Sequence, residues 1–239
     1  MENVPLFRLA QIGDLPLHQF MDWETLHWII ENKPAFTSKS AKFPLRKSLE
    51  AFAPPRNWFL ETKGFNSIHG VRHALRVAVN VILVAAKSSY IGDMRSLIIA
   101  AVLHDIRRKD DKSDPSHGKR AADWFRLERA VVEKRFGRKL DKESIDTVYW
   151  SIYFHELSAE ALIVEKSYQR FRKEVDILRT ADALDRYRLP KVKWWINEEK
   201  LGLVVPSNLK RAAFNLTVKS EENFLNGMKS EESVLSILP

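Results

Sequence analysis

Apolar residues in this chain recur at three- and four-residue intervals almost throughout, and that period confines the fold to packed helices. Strand-like alternation is short everywhere, and only 201–205 could serve as a strand. The spacing predicts a short amphipathic helix over 22–31 and longer ones over 67–87, 93–108, 117–135, 142–156 and 168–188. Ser67 is the expected N-cap of the helix that follows it, Gly137 stops the helix over 117–135, and Pro190 ends the last. Residues 34–59 are broken by Pro34, Pro44, Pro54 and Pro55 and carry Lys39, Lys42, Arg46, Lys47 and Arg56, which reads as a basic arm. The expected fold class is all-α, with an N-terminal extension (1–59), a helical domain (60–190) and a C-terminal extension (191–239) packed on it.

The chain has no cysteine, so disulfides and thiolate metal sites are excluded and any transition-metal site must use imidazole and carboxylate. No apolar run is long enough to cross a membrane. The N-terminal stretch MENVPLFRLAQIGD lacks a basic region followed by an apolar core, which argues against secretion. With the missing cysteines, it leads us to expect a cytoplasmic location. A net charge of +8 favours anionic partners: a nucleotide, a nucleic acid or a phosphorylated small molecule. Neither glycine-rich phosphate loop pattern occurs, so side chains or a metal would have to hold phosphate.

Three helices carry polar residues where a core helix should have none. In the helix over 71–86, His69, Arg72, His73, Arg76 and Asn80 form one stripe, which suits either a solvated face or an anion-binding cleft. The apolar run 97–103 ends in His104 and Asp105. A buried carboxylate needs a cation, and either a divalent metal or an arginine (Arg72, Arg76, Arg107 or Arg108) would serve. Asp182 interrupts the apolar stripe of Val175 and Leu178, whereas Asp185 followed by Arg186 reads as a structural ion pair. Five of the seven histidines lie between 69 and 155, with His117 opening one helix and His155 closing another.

This order of residues resembles the HD superfamily of phosphohydrolases: His73 within His-Gly-x-x-His-Ala-x-Arg-Val, His104-Asp105 within Ala-Val-Leu-His-Asp-Ile, and Asp182 within Ala-Asp-Ala-Leu-Asp-Arg. The likeness covers about 65 to 190. It implies an HD-type helical bundle in which His73, His104, Asp105 and Asp182 hold a divalent cation that activates water against phosphorus. His117 and His155 stand where some members hold a second metal, bridged by the aspartate of the pair. One or two ions among Mn, Fe, Co, Ni, Zn and Mg would suit such ligands. The segment His104-Asp105-Ile106-Arg107-Arg108-Lys109-Asp110 lacks the pattern of the guanosine-tetraphosphate hydrolases, and the cyclic-di-GMP element is missing too.

The reading expects hydrolysis of a phosphomonoester or phosphodiester, in a nucleotide or modified nucleotide. Asp105, His69, Arg72 and Arg76 are its catalytic candidates, and Arg107, Lys119 and Arg120 its phosphate-binding ones. Two alternatives stand beside it. His69 and His73 could act on a phosphodiester without metal. Alternatively, a non-catalytic HD module could bind nucleic acid or a phosphorylated partner through the basic arm (Phe43, Phe52, Trp58) and the Lys191-Val-Lys-Trp-Trp segment.

Overall fold

Aspartate caps start the helices that build the frame: Asp22 accepts from Thr25 N at 2.7 Å, Asp93 from Arg95 N at 3.1 Å and Asp141 from Ser144 N at 2.8 Å. The computed structural model describes residues 4–239, the side chain of Lys200 excepted, and among these residues it is all-helical with no strand. In chain order the helices are α1 (Leu6–Ile12), α2 (Trp23–Glu31), α3 (Val71–Lys87), α4 (Met94–Leu103), α5 (His117–Leu127) and α6 (Arg129–Arg135). They continue with α7 (Lys142–Phe154), α8 (Ala159–Ile163), α9 (Lys166–Arg170), α10 (Arg172–Leu184), α11 (Ser207–Leu225) and α12 (Ser230–Leu235). None is long and apolar enough to cross a membrane.

α3 is the central helix, buried on almost every face, with α4 and α10 against it; α4 also packs on α7, and α7 on α5. All seven residues from Leu97 to Leu103 are buried, so α4 drives its last turn, and the His-Asp pair behind it, into the interior. Each large aliphatic side chain in that run contributes about 1.5–3 kcal/mol by leaving water. The C-terminal segment belongs to the same hydrophobic cluster, which runs from Met21 to Leu238. α11 packs on α2 and α3, and α12 on α3.

Several local expectations change. Ser67 does not cap α3; Gly70 does, and a Cβ there would sit 2.2 Å from the Phe65 carbonyl oxygen. Ser67 instead donates to Asp111 Oδ1 at 2.9 Å. The helix over 117–135 breaks at Glu128, the one over 168–188 is α9, α10 and a 3₁₀ turn Asp185–Arg188, and 201–205 is irregular. The basic arm is strapped down: Arg46 N donates to the Pro239 carbonyl at 2.9 Å, and the Arg46 guanidinium forks onto Glu232 at 2.7 and 2.9 Å. Phe52 and Trp58 are buried within it, so their rings are not available for stacking on bases.

Candidate metal centre

The end of α4, the start of α5, the end of α7 and the cleft face of α10 meet around Asp105. Its Oδ1 lies 3.0 Å from His117 Nε2, 3.5 Å from His155 Nε2 and 3.7 Å from His104 Nε2, and its Oδ2 lies 3.5 Å from His73 Nε2. Asp182 Oδ1 faces His73 Nε2 at 3.4 Å and His104 Nε2 at 3.9 Å. Two groups of metal-ligand spacing result, His73/His104/Asp182 and His104/Asp105/His155. The six ligand candidates of the sequence therefore come together in one place, with Asp105 between the two halves.

Proton positions make this cluster unusual. Each Nδ1 faces an acceptor: Asp185 Oδ2 at 2.8 Å for His73, the Ala101 carbonyl at 2.7 Å for His104, and the Ile152 carbonyl at 2.6 Å for His155. His117 Nδ1 meets the Asp114 carbonyl at 2.8 Å and Glu156 Oε2 at 3.0 Å. All four Nδ1 atoms must donate, which leaves lone pairs on Nε2 in the neutral rings. Yet His73 Nε2 and His104 Nε2 lie 3.1 Å apart, and His117 Nε2 and His155 Nε2 3.0 Å apart. Two lone pairs at that distance repel unless a cation or an extra proton lies between them. Asp105 Oδ1 is buried and, despite its short distance to His117, has no hydrogen bond of acceptable angle.

Electrostatics separates the two pairs. Burial pushes His104 down to about 3, against the pull of Asp105, so that ring resists protonation. Burial would also lower His117, but Asp105 and Glu156 overcome it and raise the ring to about 10, so a proton is held there in the metal-free protein. Burial alone would raise Asp105 and Asp182. Neighbouring His104 and Arg108 hold Asp105 well below the usual carboxylate range, and His73 and His104 beside it bring Asp182 down to about 2. Imidazole and carboxylate donors of this geometry, with the His73–His104 lone pairs facing each other and the His117–His155 pair held by one proton, are a donor set that suits divalent cations.

Asp105, His117, His155 and Asp182 line the floor of a cleft of about 800 Å³, with His73 and His104 buried beneath them. On α10 and the turn after it, Arg179, Asp182, Ala183 and Arg186 line that cleft at helical spacing, so an arginine stands one turn to either side of the proposed ligand Asp182. Arg108, Arg188 and Lys193 add further positive charge. His69 also faces the cleft; its Nδ1 is held by Asp111 Oδ1 at 3.0 Å, and burial, with Arg108 and Arg188 nearby, keeps the ring neutral.

Other sequence-based assignments are corrected. Arg72 and Arg76 do not reach the cleft. With 3.6 residues per turn they sit about 60–100° around α3 from His73, and that angle turns them toward α11. Arg72 Nε donates to Glu221 Oε2 at 3.0 Å, and Arg76 donates to Glu221 Oε1 at 2.6 Å and Asp185 Oδ1 at 2.6 Å. Asp185 therefore pairs with Arg76 and His73, not with Arg186, whose Nε donates to the Trp194 carbonyl at 2.7 Å. Successive residues of the 3₁₀ turn Asp185–Arg188 point about 120° apart, which separates 185 from 186. Arg107 donates to the Trp58 carbonyl at 3.0 Å, Lys119 pairs with Asp123 on the surface, and Arg120 binds Asp114; none of the three lines the cleft. The sequence offered no sign of Arg179 beyond its helical phase with Asp182, and none of Arg188 or Glu221.

Comparison of this chain with protein-family models, with curated proteins and with solved structures finds no match.

Proposed function

We propose that this chain is a metal-dependent phosphohydrolase of the HD-domain type, acting on a phosphomonoester or phosphodiester of a nucleotide or modified nucleotide. One observation carries the reading: two pairs of imidazole Nε2 atoms, each ring with its Nδ1 turned to an acceptor, face each other at 3.0–3.1 Å around Asp105, at the base of an arginine-lined cleft. His73, His104 and Asp182 would hold one ion, His117 and His155 the other, with Asp105 between them. Bound there, divalent ions supply Lewis acidity at a phosphoryl oxygen and lower the pKa of water.

The chain's own groups supply the rest. Asp185 fixes the His73 ring from behind, and Glu156 fixes His117 while also accepting from Gly118 N at 2.8 Å. His69, oriented by Asp111, lines the cleft as a neutral ring and positions the attacking water as a hydrogen-bond acceptor. Arg179 and Arg186 neutralise phosphate charge from either side. Direct attack by His73 is not supported: the residue is wholly buried, with Nδ1 committed to Asp185.

Elemental analysis after mild purification should find between one and two equivalents of divalent metal. A screen of nucleotides and phosphodiesters with Mn, Co, Ni, Mg and Zn should find turnover. His104→Ala and Asp105→Ala should lose both metal and turnover, and retained hydrolysis in either variant would sink the mechanism.

A further inference from the structure

Arg188 is 2% exposed, yet it lines the cleft beside Asp105 and Asp182. Its Nε donates to the Ile68 carbonyl at 2.6 Å and its Nη1 to the Asp185 carbonyl at 3.0 Å. Among the described residues Nη2 has no acceptor. The nearest carboxylate oxygen is Asp185 Oδ2, 3.4 Å from Nη1, and it already serves His73 Nδ1 at 2.8 Å and Arg76 Nη2 at 3.1 Å. The buried set behind the metal centre thus holds three guanidiniums, Arg72, Arg76 and Arg188, against two carboxylates, Asp185 and Glu221. A buried guanidinium normally has a carboxylate of its own. This one is fixed by two backbone carbonyls from separate elements and leaves one N–H pair directed at the cavity.

Charge balance on the floor points the same way. Asp105 and Asp182 carry two negative charges, which two divalent ions would more than neutralise. Arg108 Nη1, 3.9 Å from Asp105 Oδ2, adds another positive charge. A floor loaded in this way needs an anion, and Arg188 is a preorganised donor lining the same cleft with one N–H pair unused.

We propose that Arg188 is a catalytic residue whose Nη2 donates to a non-bridging oxygen of a phosphoryl group seated over Asp105 and Asp182. The ligand class is a tetrahedral phospho-oxyanion, and the assignment rests on the metal-dependent phosphohydrolase reading. A rigid donor of this kind costs no reorganisation when charge builds on the phosphoryl oxygens. Lysine cannot reproduce it, because an ammonium on a flexible stem would not hold both carbonyls and the ligand at once.

The test is calorimetric titration of inorganic phosphate into manganese-loaded wild type, Arg188→Lys and Arg188→Met, with metal content and melting temperature measured on each. Phosphate should bind wild type, with affinity falling about 10- to 100-fold in Arg188→Met and by less in Arg188→Lys, at unchanged metal content. An affinity within about threefold of wild type in Arg188→Met, or no phosphate binding by wild type, overturns the proposal. If Arg188→Met fails to fold, the arginine side-chain nitrogen NMR signals of wild type decide. The Arg188 resonance, assigned by its loss in Arg188→Lys, should shift on adding phosphate, and an unmoved signal overturns the proposal. Phosphate affinity that depends on residue 188 supports the assignment even where no ester is hydrolysed, a result that would refute the hydrolase reading alone. Hydrolysis with residue-independent phosphate affinity does the reverse.

Discussion

Replacing Glu221 by glutamine removes the carboxylate that pairs with Arg72, the only one to do so among the described residues. Both guanidiniums that bind Glu221 are deeply buried, Arg72 at 1% and Arg76 at 0% exposure, but they do not depend on it equally. Arg76 keeps Asp185 at 2.6 and 3.1 Å. Among the described residues Arg72 keeps only the Ser230 hydroxyl at 3.3 Å and the face of Phe224 at 3.6 Å. An uncompensated buried charge costs about 3–5 kcal/mol, and the glutamine amide would also present a donor to a donor. At a urea slope of about 2–3 kcal/mol/M, the unfolding midpoint should fall by about 1–2.5 M. Tryptophan fluorescence follows the transition, since Trp195 lies in the same hydrophobic core. In an Arg72→Met background no charge is orphaned, so the same substitution should cost about 2 kcal/mol less. A loss below about 1 kcal/mol in wild type, or an equal loss in both backgrounds, would refute the claim that Glu221 is there to neutralise Arg72.

Three further outcomes are expected. Gly118→Ala places a Cβ 2.9 Å from the His155 ring and 2.8 Å from the Ile152 carbonyl, so His155 should be displaced and one metal equivalent lost; elemental analysis showing full occupancy would contradict this. Asp185→Asn takes the negative charge from behind His73 and should weaken metal binding about 10- to 100-fold, read by competition with a chelating dye. The metal-free protein should be most stable near pH 6.5, because His104 and His117 are shifted in opposite directions. His104, lowered to about 3, contributes stability present above its unfolded value and lost as pH falls toward 3; Asp182, lowered to about 2, adds loss at the acid end. His117, raised to about 10, contributes stability present below its unfolded value and lost as pH rises through 10. Urea titrations at several pH values with and without chelator test this, and metal should abolish the alkaline loss. A metal-free stability that holds level or rises between pH 6.5 and 9 would contradict the assignment of the His117 proton.

The ligand candidates were legible because each sits at a boundary that local sequence marks. His104 and Asp105 end an apolar run, His117 follows a polar loop, and Asp182 interrupts an apolar stripe. The all-helical architecture was legible for the same reason, since period alone distinguishes helix from strand. The cations were not. Arg72, Arg76, Arg107, Lys119 and Arg120 are as close in sequence to the ligands as Arg108, but a guanidinium on a long stem is directed by tertiary neighbours, and Glu221 lies 145 residues beyond Arg76. Helical phase could still have sorted part of the set. Arg179 and Arg186 share a face with Asp182, whereas Arg72 lies about 100° from His73 on its own helix. A stripe read as one face can thus serve two neighbours. One edge of α3 supplies His73 to the centre, while the other carries the arginines that anchor Asp185 and, through it, the orientation of that same histidine.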